Sequence, residues 1–133
     1  MTEFFMPMMP PTVTHQEKKI NTRWKKPVVY EPPELQDARA KLTAHLAAHR
    51  PKLPYEGGVR LTVKWLFCDK SGRHQDGEYK TDKPDTDNLI KLLKDCMTAL
   101  VFWKDDAIVA SEHNEKFWVR ESPPGIYVRI DKL

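Results

Sequence analysis

One nine-residue stretch constrains this chain more than any other. From Val59 to Phe67, the apolar residues Val59, Leu61, Val63, Trp65 and Phe67 fall on one parity, with Arg60, Thr62 and Lys64 on the other. Strand side chains point alternately to opposite faces, so this segment reads as a half-buried strand whose apolar face needs a covering layer. Two amphipathic segments can supply that layer. Pro32-Pro33-Glu34 opens the first, which is expected to run to about Arg50 and stop at Pro51. Proline is tolerated in a first turn, and Glu34 and Asp37 suit the positive end of the helix dipole. Leu35, Ala38, Leu42 and Leu46 recur at spacings of three and four, which gives one core-facing stripe. The second helix is predicted over about Thr86 to Leu100. Leu89, Leu92, Leu93, Cys96 and Leu100 share one side of it, and Asp87, Asn88, Lys91, Lys94 and Asp95 the other.

The remaining segments complete an architecture. Residues 3–14 read as extended, kept irregular by Pro7, Pro10 and Pro11, and Val28-Val29-Tyr30 is a short strand. A strand is expected from Ala107 to Ala110, resuming around Phe117-Trp118-Val119. After the Pro123-Pro124-Gly125 turn, Ile126, Val128 and Ile130 alternate in a last strand. Helices and strands are interleaved, with hairpin-like pairs expected after each helix. The fold class is therefore α+β, two helices with one small mixed sheet. At 133 residues the chain fits a single domain spanning 1–133 and excludes a two-domain enzyme. No apolar run approaches the roughly 20 residues that span a membrane. Cys68 and Cys96 lack zinc-type spacing and are expected to be reduced core residues of a cytoplasmic protein.

Charge is unevenly distributed. Residues 1–84 hold 15 Lys and Arg against 10 Asp and Glu, whereas residues 85–133 hold 7 against 9. An acidic cluster on a basic body suits a metal-dependent enzyme acting on a polyanion, and equally a solvated surface of uneven charge. Residues 17–26 alone contain five basic residues around Trp24. The 16-residue connection from Asp69 to Pro84 is long for a compact domain, a length usually tied to function or mobility.

The segment with chemistry in it is Lys83-Pro84-Asp85-Thr86-Asp87-Asn88-Leu89-Ile90-Lys91. It brings Asp85 and Asp87 to one helix mouth. Two carboxylates about 4 Å apart repel by roughly 4 kcal/mol at an effective dielectric near 20. Capping amides and the dipole relieve only about 1–2 kcal/mol of that, and a divalent cation would relieve the rest. The same pair also reads as a cap plus a surface acid, and Lys91 as an ordinary i,i+4 partner of Asp87. A calcium loop is excluded, because Leu89 and Ile90 stand where an oxygen ligand and a glycine are needed. No glycine-rich phosphate loop is present, so no nucleotide cofactor is expected. Asp105-Asp106 follows about 20 residues later, either as a turn or as further acids that return to the first pair. Hard oxygen donors without His or Cys suit Mg²⁺, with Mn²⁺ as a substitute.

Pro84-Asp85-Thr86-Asp87-Asn88-Leu89-Ile90-Lys91, then Asp95, then Phe102-Trp103-Lys104-Asp105-Asp106-Ala107 and Lys116 resemble the RusA family of Holliday-junction resolvases. The resemblance implies an α-β-β-α-β-β type core, a homodimer, and symmetric nicking of a four-way DNA junction. It carries the essential metal-binding acids to Asp85, Asp87 and Asp106, a supporting acid to Asp105, and a catalytic lysine to Lys91. DNA contacts are expected from Lys18, Lys19, Arg23, Lys25, Lys26, Arg73, Lys80, Lys83 and Lys116, mainly with phosphates. Trp24 and Tyr79 are candidates to stack on bases and His74 to touch phosphate. Trp65, Phe102, Trp103 and the apolar N-terminus are candidate dimer surfaces. Two other readings stay open: a magnesium-dependent nuclease for flaps or forks, and a non-catalytic DNA-binding module.

Overall fold

A computed structural model of the chain describes residues 1–14, 19–21 and 28–133. Lys18, Arg23, Trp24, Lys25 and Lys26 lie outside the described residues, and only the backbone of Lys19 is described. The elements run β1 (Thr2–Pro7), β2 (Lys19–Asn21), β3 (Val28–Tyr30), α1 (Pro33–Ala47), β4 (Val59–Cys68), α2 (Thr86–Ala99), a 3-10 turn (Asp106–Ile108), β5 (Val109–Val119) and β6 (Gly125–Lys132). Four strands form one mixed sheet in the order β1-β6-β4-β5, with β4 antiparallel to β6 and parallel to β5. β2 and β3 make a separate antiparallel pair. The molecule is a single small α+β domain, as its patterning requires.

The alternation in β4 does what the sequence demands. Val59, Leu61, Val63 and Trp65 are fully buried, and exposed Arg60 and Lys64 lie on the opposite face. Leu35, Leu42 and Leu46 of α1 and Leu89, Leu93 and Met97 of α2 join the same core, with Ile126, Val128 and Ile130 of β6 and Phe4 and Met6 of β1. Burying each such side chain contributes about 1.5–3 kcal/mol, so this layer is what holds the helices on the sheet. Trp65, Phe102 and Trp103 have no exposed surface, which removes them as dimer surfaces. Cys96 is buried, and burial raises its thiol pKa; Cys68, at the end of β4, is only half-buried and is not a core residue. No described helix is long and apolar enough to cross a membrane.

Several expectations need correction. α1 ends at Ala47, ahead of Pro51, where the chain turns and His49 stacks on Phe4 at 4.3 Å. Within the extended segment 3–14, which its prolines keep irregular, the paired strand β1 closes at Pro7. β5 is one continuous strand across the polar run Ser111–Lys116, where two short strands were expected. Its backbone pairs with β4 all along, so the ladder holds the run without an apolar pattern. Between the helices stands one named strand, β4, without the hairpin partner that an α-β-β-α-β-β order requires. Its partners are β5 and β6, from beyond α2.

Candidate active site

Asp85 is the N-cap of α2, with φ −73° and ψ 145°, and its carbonyl accepts from the Leu89 amide at 3.1 Å. Its carboxylate makes no capping bond to the helix. Both carboxylate oxygens instead meet the Lys83 ammonium, at 2.9 and 3.0 Å. Lys83 is 84% exposed, so this ion pair contributes at most about 1 kcal/mol and yields readily to a stronger cation. Asp87 lies in the first turn and is exposed, and so is Lys91 one turn later. Among the described residues, Asp87 and Lys91 form no ion pair with each other. The mouth of α2 thus presents two carboxylates outward, with an exposed lysine on the same face.

Three side chains fix that mouth. Asn114 of β5 accepts from the indole of buried Trp65 at 2.6 Å and donates to the Thr86 carbonyl at 2.7 Å. Lys116, two residues on and on the same face, donates to the carbonyls of Asp82 at 2.6 Å and Pro84 at 2.7 Å. Burial, and after it the charge of Lys80, lowers the Lys116 pKa. Lys80 is 8% exposed; its ammonium sits 4.0 Å from the centre of the Trp118 ring and pairs with the Asp82 carboxylate. That pairing in turn holds the Asp82 carboxyl below its usual range. Lys80 is therefore an interior residue, and the sequence reading of it as a phosphate contact is corrected. Only the fold could reveal Asn114, since nothing in its local pattern marks it.

The long 69–84 connection is tied down. Asp69 accepts from the Ser71 hydroxyl and from the Ser71 and His74 amides, and the Ser71 hydroxyl above all brings its carboxyl down to about 2. The Asp76 carboxylate accepts from the Arg120 amide at 2.6 Å. Backbone bonds from Gly77 to Trp118 and from Lys80 to Lys116 lay the segment along the outer edge of β5. His74 stacks on Trp118 and pairs with Glu78, leaving its ring engaged within the loop. Arg73 is exposed, and Tyr79, 60% exposed, stacks on Phe117.

Asp105 and Asp106 lie elsewhere. Asp105 caps the 3-10 turn, its Oδ1 accepting from the Ala107 amide at 2.9 Å, and Asp106 opens that turn half-buried. β5 does run antiparallel to α2: Glu112 near its start pairs with Lys94 in the C-terminal half of the helix, and Asn114 then reaches Thr86 at the mouth. What it brings back to the mouth is Asn114 and Lys116. Asn114 is the β5 residue that reaches the mouth, and Asp106 lies eight residues before it; at about 3.3 Å per strand residue and less through the 3-10 turn, Asp106 stands about 20 Å from Asp85 and Asp87 within one chain. Among the described residues no group of three His, Cys, Asp or Glu side chains converges as a metal cluster would.

The molecule is thus a small mixed-sheet α+β domain that presents paired hard-oxygen donors at a helix mouth. Compared with known families, its residues 8–131 match the family described as Endodeoxyribonuclease RusA, and the chain belongs to that family. This agrees with the resemblance carried by Pro84–Lys91 and Phe102–Asp106. A crossover junction endodeoxyribonuclease rusA of Lactococcus phage r1t is 37% identical over 68 residues, covering 50% of this chain and 51% of that protein. The chain spans about half the length of that curated relative.

Proposed function

We propose that this protein is a Mg²⁺-dependent endodeoxyribonuclease that resolves four-way DNA junctions in the cytoplasm by paired, symmetric nicks, working as a homodimer. The observation that carries the reading is the exposed Asp85–Asp87 pair at the mouth of α2, in a chain whose family is an endodeoxyribonuclease family. The donor set fits the ion: hard carboxylate oxygens, no capping bond on Asp85, and a counter-ion lysine that is easily displaced. Asp85, Asp87 and Asp106 would hold Mg²⁺, with Mn²⁺ as a substitute. Asp105 supports Asp106 by fixing the 3-10 turn. When bound, the ion supplies charge neutralisation at the scissile phosphate and a more acidic water.

The chain's own residues do the rest. Lys91, exposed one turn from Asp87, donates to a non-bridging phosphate oxygen as charge develops there. Arg73, on the exposed loop, and Lys83 meet flanking phosphates. Because Asp106 lies about 20 Å from the mouth in one chain, a site using all three acids draws Asp106 from a second copy. A twofold dimer would then present two equal sites to a substrate that itself has twofold symmetry.

The test uses end-labelled four-way junction, fork, flap and duplex substrates with Mg²⁺ or EDTA, and maps every nick. Paired nicks at symmetric positions of the junction, dependent on Mg²⁺, are expected. Equal cutting of forks or flaps would favour a broader structure-selective nuclease. Binding without nicking at any protein level would favour a non-catalytic module.

A further inference from the structure

The lysine of β5 that a sequence reading gives to DNA has a different task. We infer that Lys116 is a positioning residue: its ammonium clamps the Asp82 and Pro84 carbonyls and so sets the entry of the chain into α2, on which the presentation of Asp85 and Asp87 depends. This rests on the proposed reading of those two acids as metal ligands. Lys116 itself touches neither phosphate nor the acids' carboxylates.

The geometry supports it from three sides. The segment Thr81–Pro84 belongs to no strand or helix, so its path is set by what grips it. Lys116 grips two of its carbonyls, at 2.6 and 2.7 Å, from a strand held in one register with β4 over the nine pairs from Arg60–Ser111 to Cys68–Val119. Asp82 is gripped a second time, through its carboxylate, by Lys80, which is wedged over Trp118. On the other side of the N-cap, Asn114 grips the Thr86 carbonyl from the same face of β5. Asp85 is therefore bracketed by fixed points at Asp82, Pro84 and Thr86, all referred to one strand. A charged donor also matters electrically. An ammonium beside the mouth offsets part of the repulsion between Asp85 and Asp87 without occupying their oxygens. Groups that orient metal ligands from behind typically change metal affinity by about 10–100-fold when removed.

Lys116→Met keeps the stem and removes the ammonium, and three readouts separate the two roles. Calorimetric titration with Mg²⁺ alone is expected to show affinity weakened about ten-fold or more. Junction binding in EDTA is expected to keep its affinity and its dependence on salt. Amide exchange in the metal-free protein is expected to speed up at Leu89, whose N–H bonds the Asp85 carbonyl, while the β4–β6 amides stay protected. Lys116→Arg, which keeps charge and donors, is expected to recover most of the Mg²⁺ affinity. Asn114→Ala is expected to show the same pattern more weakly, and serves if Lys116→Met does not fold. A loss of junction affinity in EDTA with the salt slope reduced by about one, at unchanged Mg²⁺ affinity and unchanged Leu89 exchange, would overturn the inference and return Lys116 to phosphate binding. Failure of the unsubstituted protein to bind Mg²⁺ would refute the metal reading instead, and Leu89 exchange would still decide the clamp.

Discussion

Mixing two inactive variants tests whether the acids come from different copies. Ligands of one Mg²⁺ each lie about 2.1 Å from it, so acids sharing an ion must bring their oxygens within about 4 Å of one another. The path of β5 from Asn114 at the mouth back to Asp106 separates Asp106 from Asp87 by about 20 Å, a gap no rotamer closes. Asp87→Asn and Asp106→Asn homodimers should each be inactive. Let them exchange at equal concentration, and about half the dimers become mixed. In a mixed dimer one site receives both substitutions, and the other receives wild-type Asp85 and Asp87 from one copy and wild-type Asp106 from its partner. Nicking should return to about a quarter of the wild-type site count, as single nicks without the paired second cut. The assay is a junction nicking time course on denaturing gels, with subunit exchange confirmed by tagged copies. If the site were complete within one chain, every site in the mixture would carry a substitution. No recovery of nicking, despite proven exchange, would refute the shared site.

Other outcomes follow from single observations. Arg73 is exposed and Lys80 is not, so Arg73→Ala should lower the salt slope of junction binding by about one, while Lys80→Met leaves the slope alone and lowers thermal stability. Val101 sits at φ 62° just past α2, a left-handed conformation that costs a β-branched residue about 1–2 kcal/mol. Val101→Gly should raise stability by up to about 1 kcal/mol in urea unfolding, after glycine's greater unfolded-state entropy is subtracted; a loss would show that the valine side chain outweighs its strain. Asp69 is held at about 2, below its ordinary 3.8, so its contribution is complete above about pH 4 and is lost as pH falls toward 2. Asp69→Asn should flatten the acid side of the melting-temperature profile across that window, and an unchanged profile would remove the Asp69 turn from the account. Gly125 packs against Phe5 so closely that an added Cβ would lie 2.3 Å from the Phe5 ring and 2.5 Å from the Met6 carbonyl oxygen. Gly125→Ala should therefore destabilise by about 1–3 kcal/mol, measured in the same urea titrations.

Local pattern carried a good deal. The alternation in β4, the stripes of α1 and α2 and the Pro84-Asp85 entry all depend on near neighbours, and the structure keeps each of them. Asp85 and Asp87 could be assigned to a helix mouth because two residues around an N-cap are placed by the helix itself. The continuity of β5 was not legible, because Ser111–Lys116 is held by a backbone ladder to β4 and not by an apolar face. Lys80 reads in sequence as another surface lysine, and only packing against Trp118 and Asp82 makes it an interior one.

What the sequence alone determined is therefore local: most of the elements, the apolar layer, and the placing of Asp85 and Asp87 together at one helix mouth. Tertiary structure decided where those acids stand. Connecting α2 to a strand that runs back toward its mouth leaves Asp106, ahead of that strand, far from Asp85 and Asp87. The same connection returns Asn114 and Lys116 to the mouth. Spacing along a chain does not encode direction in space. Here the direction of β5 relative to α2, set by its parallel pairing with β4, settles which residues meet.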